Sequence, residues 1–166
     1  MKPDLIERDI EYIELYMKAL EVAKECHKDQ KDKGGHEYIG HPIRVSDRCA
    51  SAGATITGLL HDTIEDSDMT PEKLIELGFP ADIVDAVKFL TRRDGETYSD
   101  YIKRVGENKV AREVKIADLK DNLDITRLPY PITKDDLSLL NRYLKALKYL
   151  KTIDSSSDLL RRTYNR

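Results

Sequence analysis

The chain has 166 residues, of which 40% are apolar and 36% charged, and it carries a net charge of −3. That length and balance suit one folded domain with a real core, and exclude a disordered or fibrous chain. The acidic total excludes a global pull toward nucleic acid or anionic membrane, so a phosphorylated ligand needs a local patch of Lys and Arg, or a metal.

The N-terminus, Met1-Lys2-Pro3-Asp4, leads straight into charged helical sequence with no apolar signal region, which predicts a cytoplasmic protein. From about Asp9 to Lys31, Ile13, Met17, Leu20, Ala23 and Cys26 follow a helical period. Cys26 and Cys49 form no CxxC arrangement and read as reduced, buried small residues. Gly34 and Gly35 break the first helix, and Pro42 fits the first turn of the next, with His41 near its cap. This second helix carries Ile43 and Val45 and is expected to end near Gly53. A third, from Ala54 to Asp62, is apolar nearly all round and should be central. The uncharged run from Cys49 to Leu60 is too short to span a bilayer.

Thr70-Pro71-Glu72 supplies an N-cap, a first-turn proline and a first-turn acid for a short helix that Gly78 closes. Pro80 opens another, with Ile83, Val84, Val87 and Leu90 on its apolar face. Thr97 caps a helix holding Tyr101, Ile102 and Val105, and Gly106-Glu107-Asn108 is the next break. Val110 to Ile125 reads as a helix containing Val114, Ala117, Asp118 and Asn122. Pro129 and Pro131 stop the chain before Thr133-Lys134-Asp135-Asp136 caps a long helix through Leu150, and Ser155 to Tyr164 is expected to form a last short one. No sustained period of two and no hairpin signal occurs. The expectation is an all-α, single-domain protein over residues 1–166.

Chemistry concentrates where the third helix ends. Leu59-Leu60-His61-Asp62-Thr63-Ile64-Glu65-Asp66 runs from apolar residues into a histidine and three carboxylates. Glu65 and Asp66 each follow His61 and Asp62 by four residues, so each pair shares a face if the helix continues. With His41 near one helix start and Asp118 inside another helix, three helices could bring ligands together. Two imidazoles and two carboxylates suit Mn²⁺, Fe²⁺ or Zn²⁺ with positions left open for water and substrate. Each residue also has an ordinary use: His41 can cap a helix before Pro42, and Asp118 can pair with Lys115 or Lys120 on a solvated face.

Four segments stand together in order and spacing: His27-x-x-Gln30, Tyr38-Ile39-x-His41-Pro42, Leu59-Leu60-His61-Asp62-x-x-Glu65-Asp66 and Lys115-x-Ala117-Asp118-x-x-x-Asn122. In this the chain resembles the RelA/SpoT-type hydrolase domains, a branch of the HD-domain metal-dependent phosphohydrolases, over about residues 15–128; residues 133–166 are C-terminal helices beyond it. The resemblance implies an HD-type helical bundle in which His41, His61, Asp62 and Asp118 bind one metal, usually Mn²⁺. It implies that Glu65 and Asp66 orient or deprotonate the attacking water and that Asn122 holds the nucleotide. The implied reaction is release of pyrophosphate from the 3′ position of the guanosine alarmones.

The chain departs from that pattern around the substrate. The family usually carries Arg-Lys-Ser-Gly where this chain has Asp32-Lys33-Gly34-Gly35, and Arg and Thr where it has Asp124 and Ile125. Lys33, Lys115 and Arg127 remain as phosphate contacts. Two other readings stand beside the alarmone hydrolase: the same machinery acting on a different nucleotide or phosphorylated metabolite, and a non-catalytic nucleotide-sensing domain. The expected partner is a small nucleotide, with no nucleic acid and no membrane. The apolar face from Thr133 to Leu150 can pack on its own core or on a second copy in a homo-oligomer.

Overall fold

The computed structural model describes the backbone of residues 5–164 and the side chains of residues 7–153. The reading placed on Met1 to Asp4 lies outside the described residues. The chain is all-α, in the order α1 (Leu5–Cys26), α2 (Gly40–Asp47), α3 (Ala52–Leu60), α4 (Thr63–Asp66), α5 (Pro71–Glu76), α6 (Ala81–Leu90), α7 (Tyr98–Glu107), α8 (Lys109–Asn122) and α9 (Lys134–Tyr164). A 3₁₀ turn covers Ile125–Arg127, and the only strand-like pairing among the described residues is an isolated bridge between Lys31 and Glu37. Among the described residues no helix is long and apolar enough to cross a membrane.

Helix α3 is the hub: it packs on α1, α2, α6 and α8. Ile56, Leu59 and Leu60 on it are buried together with Ala19, Leu74, Phe79, Ile83, Val84 and Val87. Burying each such Leu or Ile stabilises the fold by roughly 1.5–3 kcal/mol. A second cluster gathers Tyr101, Ile102, Val105, Ala111, Val114, Leu147 and Leu150 from α7, α8 and α9. Helices α3 and α6 contribute to both clusters, with Ala54, Ala86 and Leu90 in the second, and α8 packs on each of them.

Local chemistry sets the ends. Ser51, Thr70, Thr97 and Asn108 each accept a first-turn amide through the side chain, and Asn108 ends α7 while starting α8. The second helix stops at Asp47, short of the expected Gly53, because Ser51 caps α3. Helix α8 stops at Asn122 rather than Ile125, where the Asp124 carboxylate captures the amide and hydroxyl of Thr126. The two helices expected at the C-terminus are one, since no Gly or Pro interrupts the backbone between Leu150 and Tyr164.

The buried face of α1 also differs from expectation. Ile13 is 57% exposed and Met17 49%, whereas Ala19 and Ala23 are fully buried. Tyr12, Leu15, Tyr16 and Leu20 flank the contact. Two alanines let α1 approach α3 closely, a requirement that side-chain hydrophobicity alone does not signal.

Candidate metal and phosphohydrolase site

The end of α3 builds the site. His61 follows its last residue, and its Nδ1 donates to the Gly58 carbonyl at 2.8 Å; Thr63 Oγ1 donates to the Leu60 carbonyl at 2.7 Å. Side-chain donors thus replace the missing amides at the helix end, and the chain turns at Asp62 before α4 begins. The helix read from Ala54 to Asp62 therefore ends at Leu60 and does not continue regularly to Asp66, though the Asp66 amide still reaches the Asp62 carbonyl at 3.0 Å.

A carbonyl can only accept, so His61 carries its hydrogen on Nδ1 and turns the bare Nε2 inward. That buried Nε2 has no hydrogen-bond partner among the described residues. His41, from α2, is fixed in the same way: its Nδ1 lies 2.8 Å from the carboxylate of Asp121, which leaves Nε2 to face the cluster. One ligand atom from each of His41, His61 and Asp62 lies within 4.8 Å of the others. Asp118 Oδ1, from α8, stands 3.2 Å from His41 Nε2 and 3.8 Å from His61 Nε2. The four residues read as ligands are therefore neighbours, brought together from α2, the end of α3, the turn after it, and α8.

The donor set fits a divalent cation. Two imidazole Nε2 atoms and two carboxylates are buried or nearly so, that of His61 without a hydrogen-bond partner among the described residues, and no thiolate takes part. Burial favours the neutral forms of Asp62 and Asp118, yet His61 beside the first and Lys115 beside the second hold both well below the usual carboxylate range. Burial lowers the pKa of His41, but its bonds to Asp118 and Asp121 outweigh this and raise it to about 9, so with no cation bound the ring is protonated on both nitrogens and a metal would displace the Nε2 hydrogen. The cluster is thus an electronegative pocket.

The other predicted residues divide. Asn122 sits on the cluster, its Nδ2 donating to Asp118 Oδ1 at 2.5 Å. Lys33, Asn122 and Arg127 line a cleft of about 250 Å³ that also takes in Tyr38 and His41. Lys115 does not line it: the ammonium pairs with Asp118 Oδ2 at 2.7 Å. Glu65 and Asp66 are exposed on α4. Glu65 Oε1 accepts the Arg92 amide at 2.5 Å, and Asp66 Oδ2 accepts Gln30 Nε2 at 3.0 Å.

No protein-family model matches the chain. Over 125 residues it is 33% identical to the guanosine-3′,5′-bis(diphosphate) 3′-pyrophosphohydrolase of Aquifex aeolicus (strain VF5), covering 68% of this chain and 18% of that protein. It is 38% identical over 79 residues to the protein of the same name from Borreliella burgdorferi, covering 45% of this chain and 12% of the relative. Its fold matches the solved structure reported as a metazoan ortholog of SpoT that hydrolyses ppGpp, with a TM-score of 0.66 and 22% identity, over 90% of this chain and 87% of that one. In sequence and in fold this chain is RelA/SpoT hydrolase-like. It spans less than a fifth of the length of these curated relatives.

Three residues of this hydrolase-like protein were not among those assigned roles from sequence. Tyr38 donates to Asp62 Oδ2 at 2.5 Å; burial and then the Asp62 charge push its hydroxyl pKa far up, so it stays a donor. Gln30, which also contacts His27 Nδ1 at 2.7 Å, holds Asp66. Asp121 is the largest omission. Fully buried, it accepts from His41, Arg44, Arg48 and Arg127. Its position three residues after Asp118, on the inner face of α8, was the available signal.

Proposed function

We propose that the chain is a metal-dependent phosphohydrolase that removes pyrophosphate from the 3′ position of guanosine tetraphosphate or pentaphosphate. The observation that carries this reading is the gathering of two inward-facing imidazole nitrogens and two carboxylates, of which His41 also lines a cleft shared with Lys33, Asn122 and Arg127. His41, His61, Asp62 and Asp118 would hold the ion, with Mn²⁺ as the expected one and Fe²⁺ or Zn²⁺ as alternatives. When bound, a divalent cation supplies a lowered pKa for water and charge neutralisation at the phosphoryl group.

The chain's own residues do the rest. Glu65 and Asp66, each anchored through one oxygen, orient the attacking water and take its proton. Tyr38 holds Asp62, and Lys115 holds Asp118, in their inward orientations. Asn122 positions the nucleotide beside Asp118, while Lys33 and Arg127 meet its phosphates. Attack breaks the bond from the 3′ oxygen to phosphorus, restoring the hydroxyl and releasing pyrophosphate. One domain over residues 1–166 and a cytoplasmic setting accompany this reading.

A second reading keeps the machinery and changes the nucleotide. It is favoured by the carboxylates in the cleft: Lys33 lies 3.8 Å from Asp136, and Arg127 lies 3.8 Å from Asp32 and 3.9 Å from Asp124. Cations matched in this way suit a substrate with less charge than a tetraphosphate. Incubation with Mn²⁺ and guanosine tetraphosphate should release GDP and pyrophosphate, with loss of turnover in chelator and in Asp62→Ala. No release from protein shown to bind Mn²⁺ would refute the alarmone assignment and select a panel of other 3′- and 5′-phosphorylated nucleotides.

A further inference from the structure

A second groove, of about 640 Å³, lies between α7 and α9, lined by Tyr98, Ser99, Lys103, Arg142, Lys145 and Tyr149 among others. Its volume falls within the range of small-molecule sites, roughly 300–1,000 Å³. The walls carry three cations and no carboxylate, in a chain whose acids outnumber its bases by 31 to 28. Lys103 has an exposed partner in Asp100 at 3.3 Å. Among the described residues Arg142 and Lys145 have no carboxylate within ion-pair distance, so their charge is directed to solvent and the groove.

Arg142 is not a loose surface arginine. Its guanidinium lies 4.8 Å from the centre of the Tyr98 ring and 5.9 Å from that of Tyr143. Cation–π attraction at these distances favours the guanidinium near the rings, which lowers the ordering cost of gripping a phosphate. Tyr149, 43% exposed, adds an open ring face. Tyr98 and Ser99, at the start of α7, line the groove beside these cations. The Tyr98 hydroxyl is buried with no hydrogen-bond partner among the described residues.

We propose that the α7–α9 groove is a second binding site, for a small molecule of the nucleoside-phosphate class. Its phosphates meet Arg142, Lys145 and Lys103, and its base lies against tyrosine. This site is separate from the metal cluster and does not depend on the reaction proposed above. The two cavities share a wall, because Tyr143 lines the catalytic cleft and its ring centre is 6.4 Å from that of Tyr98. A test must therefore tell them apart.

ATP is a suitable probe, titrated in chelator into ¹⁵N-labelled protein so that no metal draws it to the cleft. Saturable amide shifts are expected across residues 98–103 and 138–149. The double variant Arg142→Glu/Lys145→Glu, at two exposed positions, should weaken binding by about tenfold or more, whereas Asn122→Ala in the cleft should leave it within about twofold. Circular dichroism of the double variant should match the parent. Absence of saturation, or a loss in Asn122→Ala as large as in the double variant, overturns the site. Inorganic triphosphate binding as tightly as ATP overturns the assignment of a nucleoside.

Discussion

Replacing Asp121 by Asn tests how the chain prepares His41. Five donors converge on this one carboxylate: His41 Nδ1 at 2.8 Å, Arg44 Nε at 2.9 Å and Nη2 at 3.1 Å, Arg48 Nη1 at 3.0 Å and Arg127 Nη2 at 3.0 Å. Burial alone would favour its neutral form, but the bonds from His41 and Arg44 hold its pKa well below the usual carboxylate range. Asparagine offers one oxygen and one amide in place of two oxygens. An arginine N–H can only donate, so the guanidinium groups claim the oxygen and the amide turns to His41. The imidazole then accepts at Nδ1 and carries its hydrogen on Nε2, the atom that must be bare to bind a cation.

Removing one partner of a buried ion pair costs about 3–5 kcal/mol. Here the three arginine side chains are 33%, 36% and 32% exposed and water relieves them, so about 2 kcal/mol is expected. Metal affinity should fall about 10- to 100-fold, the usual effect of losing an outer-shell carboxylate. Calorimetric Mn²⁺ titration gives the affinity, and imidazole ¹⁵N shifts report the His41 tautomer directly. Asp121→Asn with its hydrogen still on Nδ1 and unchanged Mn²⁺ affinity would refute the reasoning, whatever happened to stability.

Other expectations follow from the same geometry. Glu65→Ala and Asp66→Ala should each slow turnover while Mn²⁺ stays bound; a variant that lost the metal would make that carboxylate a ligand. Gly58→Ala places a Cβ 3.0 Å from Ser46 Cα and 3.1 Å from Ser46 N, both backbone atoms. Helices α2 and α3 must then part, at a cost of about 1–3 kcal/mol, and His41 moves from His61, so melting temperature and Mn²⁺ affinity should fall together. Glu96 takes two hydrogen bonds from Arg104, each 2.7 Å, and these lower its carboxyl to about 2. That stabilisation is full above the carboxyl's unfolded value and is lost as pH falls toward 2. Urea midpoints of Glu96→Gln should therefore depend less on pH between about 4.5 and 2 than those of the parent, and parallel profiles would remove the pair from the acid response.

What could be read in advance depended on how local the cause was. Thr70-Pro71-Glu72, Thr97 and Asn108 each specify a helix end through a side chain bonding its own neighbours, so the sequence names them. Gathering His41, His61, Asp62 and Asp118 needs three helices to meet, which the motif resemblance implied and residue spacing alone did not. On α1 the reading placed Ala23 correctly but chose Ile13 and Met17 over Ala19, because Ala19 matters by being small. Lys115 was read as a phosphate contact by charge, but its position three residues before Asp118 lets the carboxylate claim it first. Asp121 was passed over because a buried acid holding a histidine through its far nitrogen looks, in sequence, like any helical aspartate.

Asp32 bears on any attempt to redesign what the cleft accepts. Its Oδ1 closes the turn before α2 by taking the amides of Gly34 at 2.8 Å and His36 at 2.9 Å, while Oδ2 faces Arg127. A Cβ on Gly34 would stand 3.1 Å from that same Oδ1 and 3.2 Å from the Arg127 carbonyl, so the loop has no slack around the acid. Changing residue 32 to arginine would reverse the charge and unlatch the turn in one stroke. The charge of the cleft and the architecture of its loop are thus set by the same side chain, and changing one without the other requires grafting residues 32–36 as a block together with the residue facing them at 127.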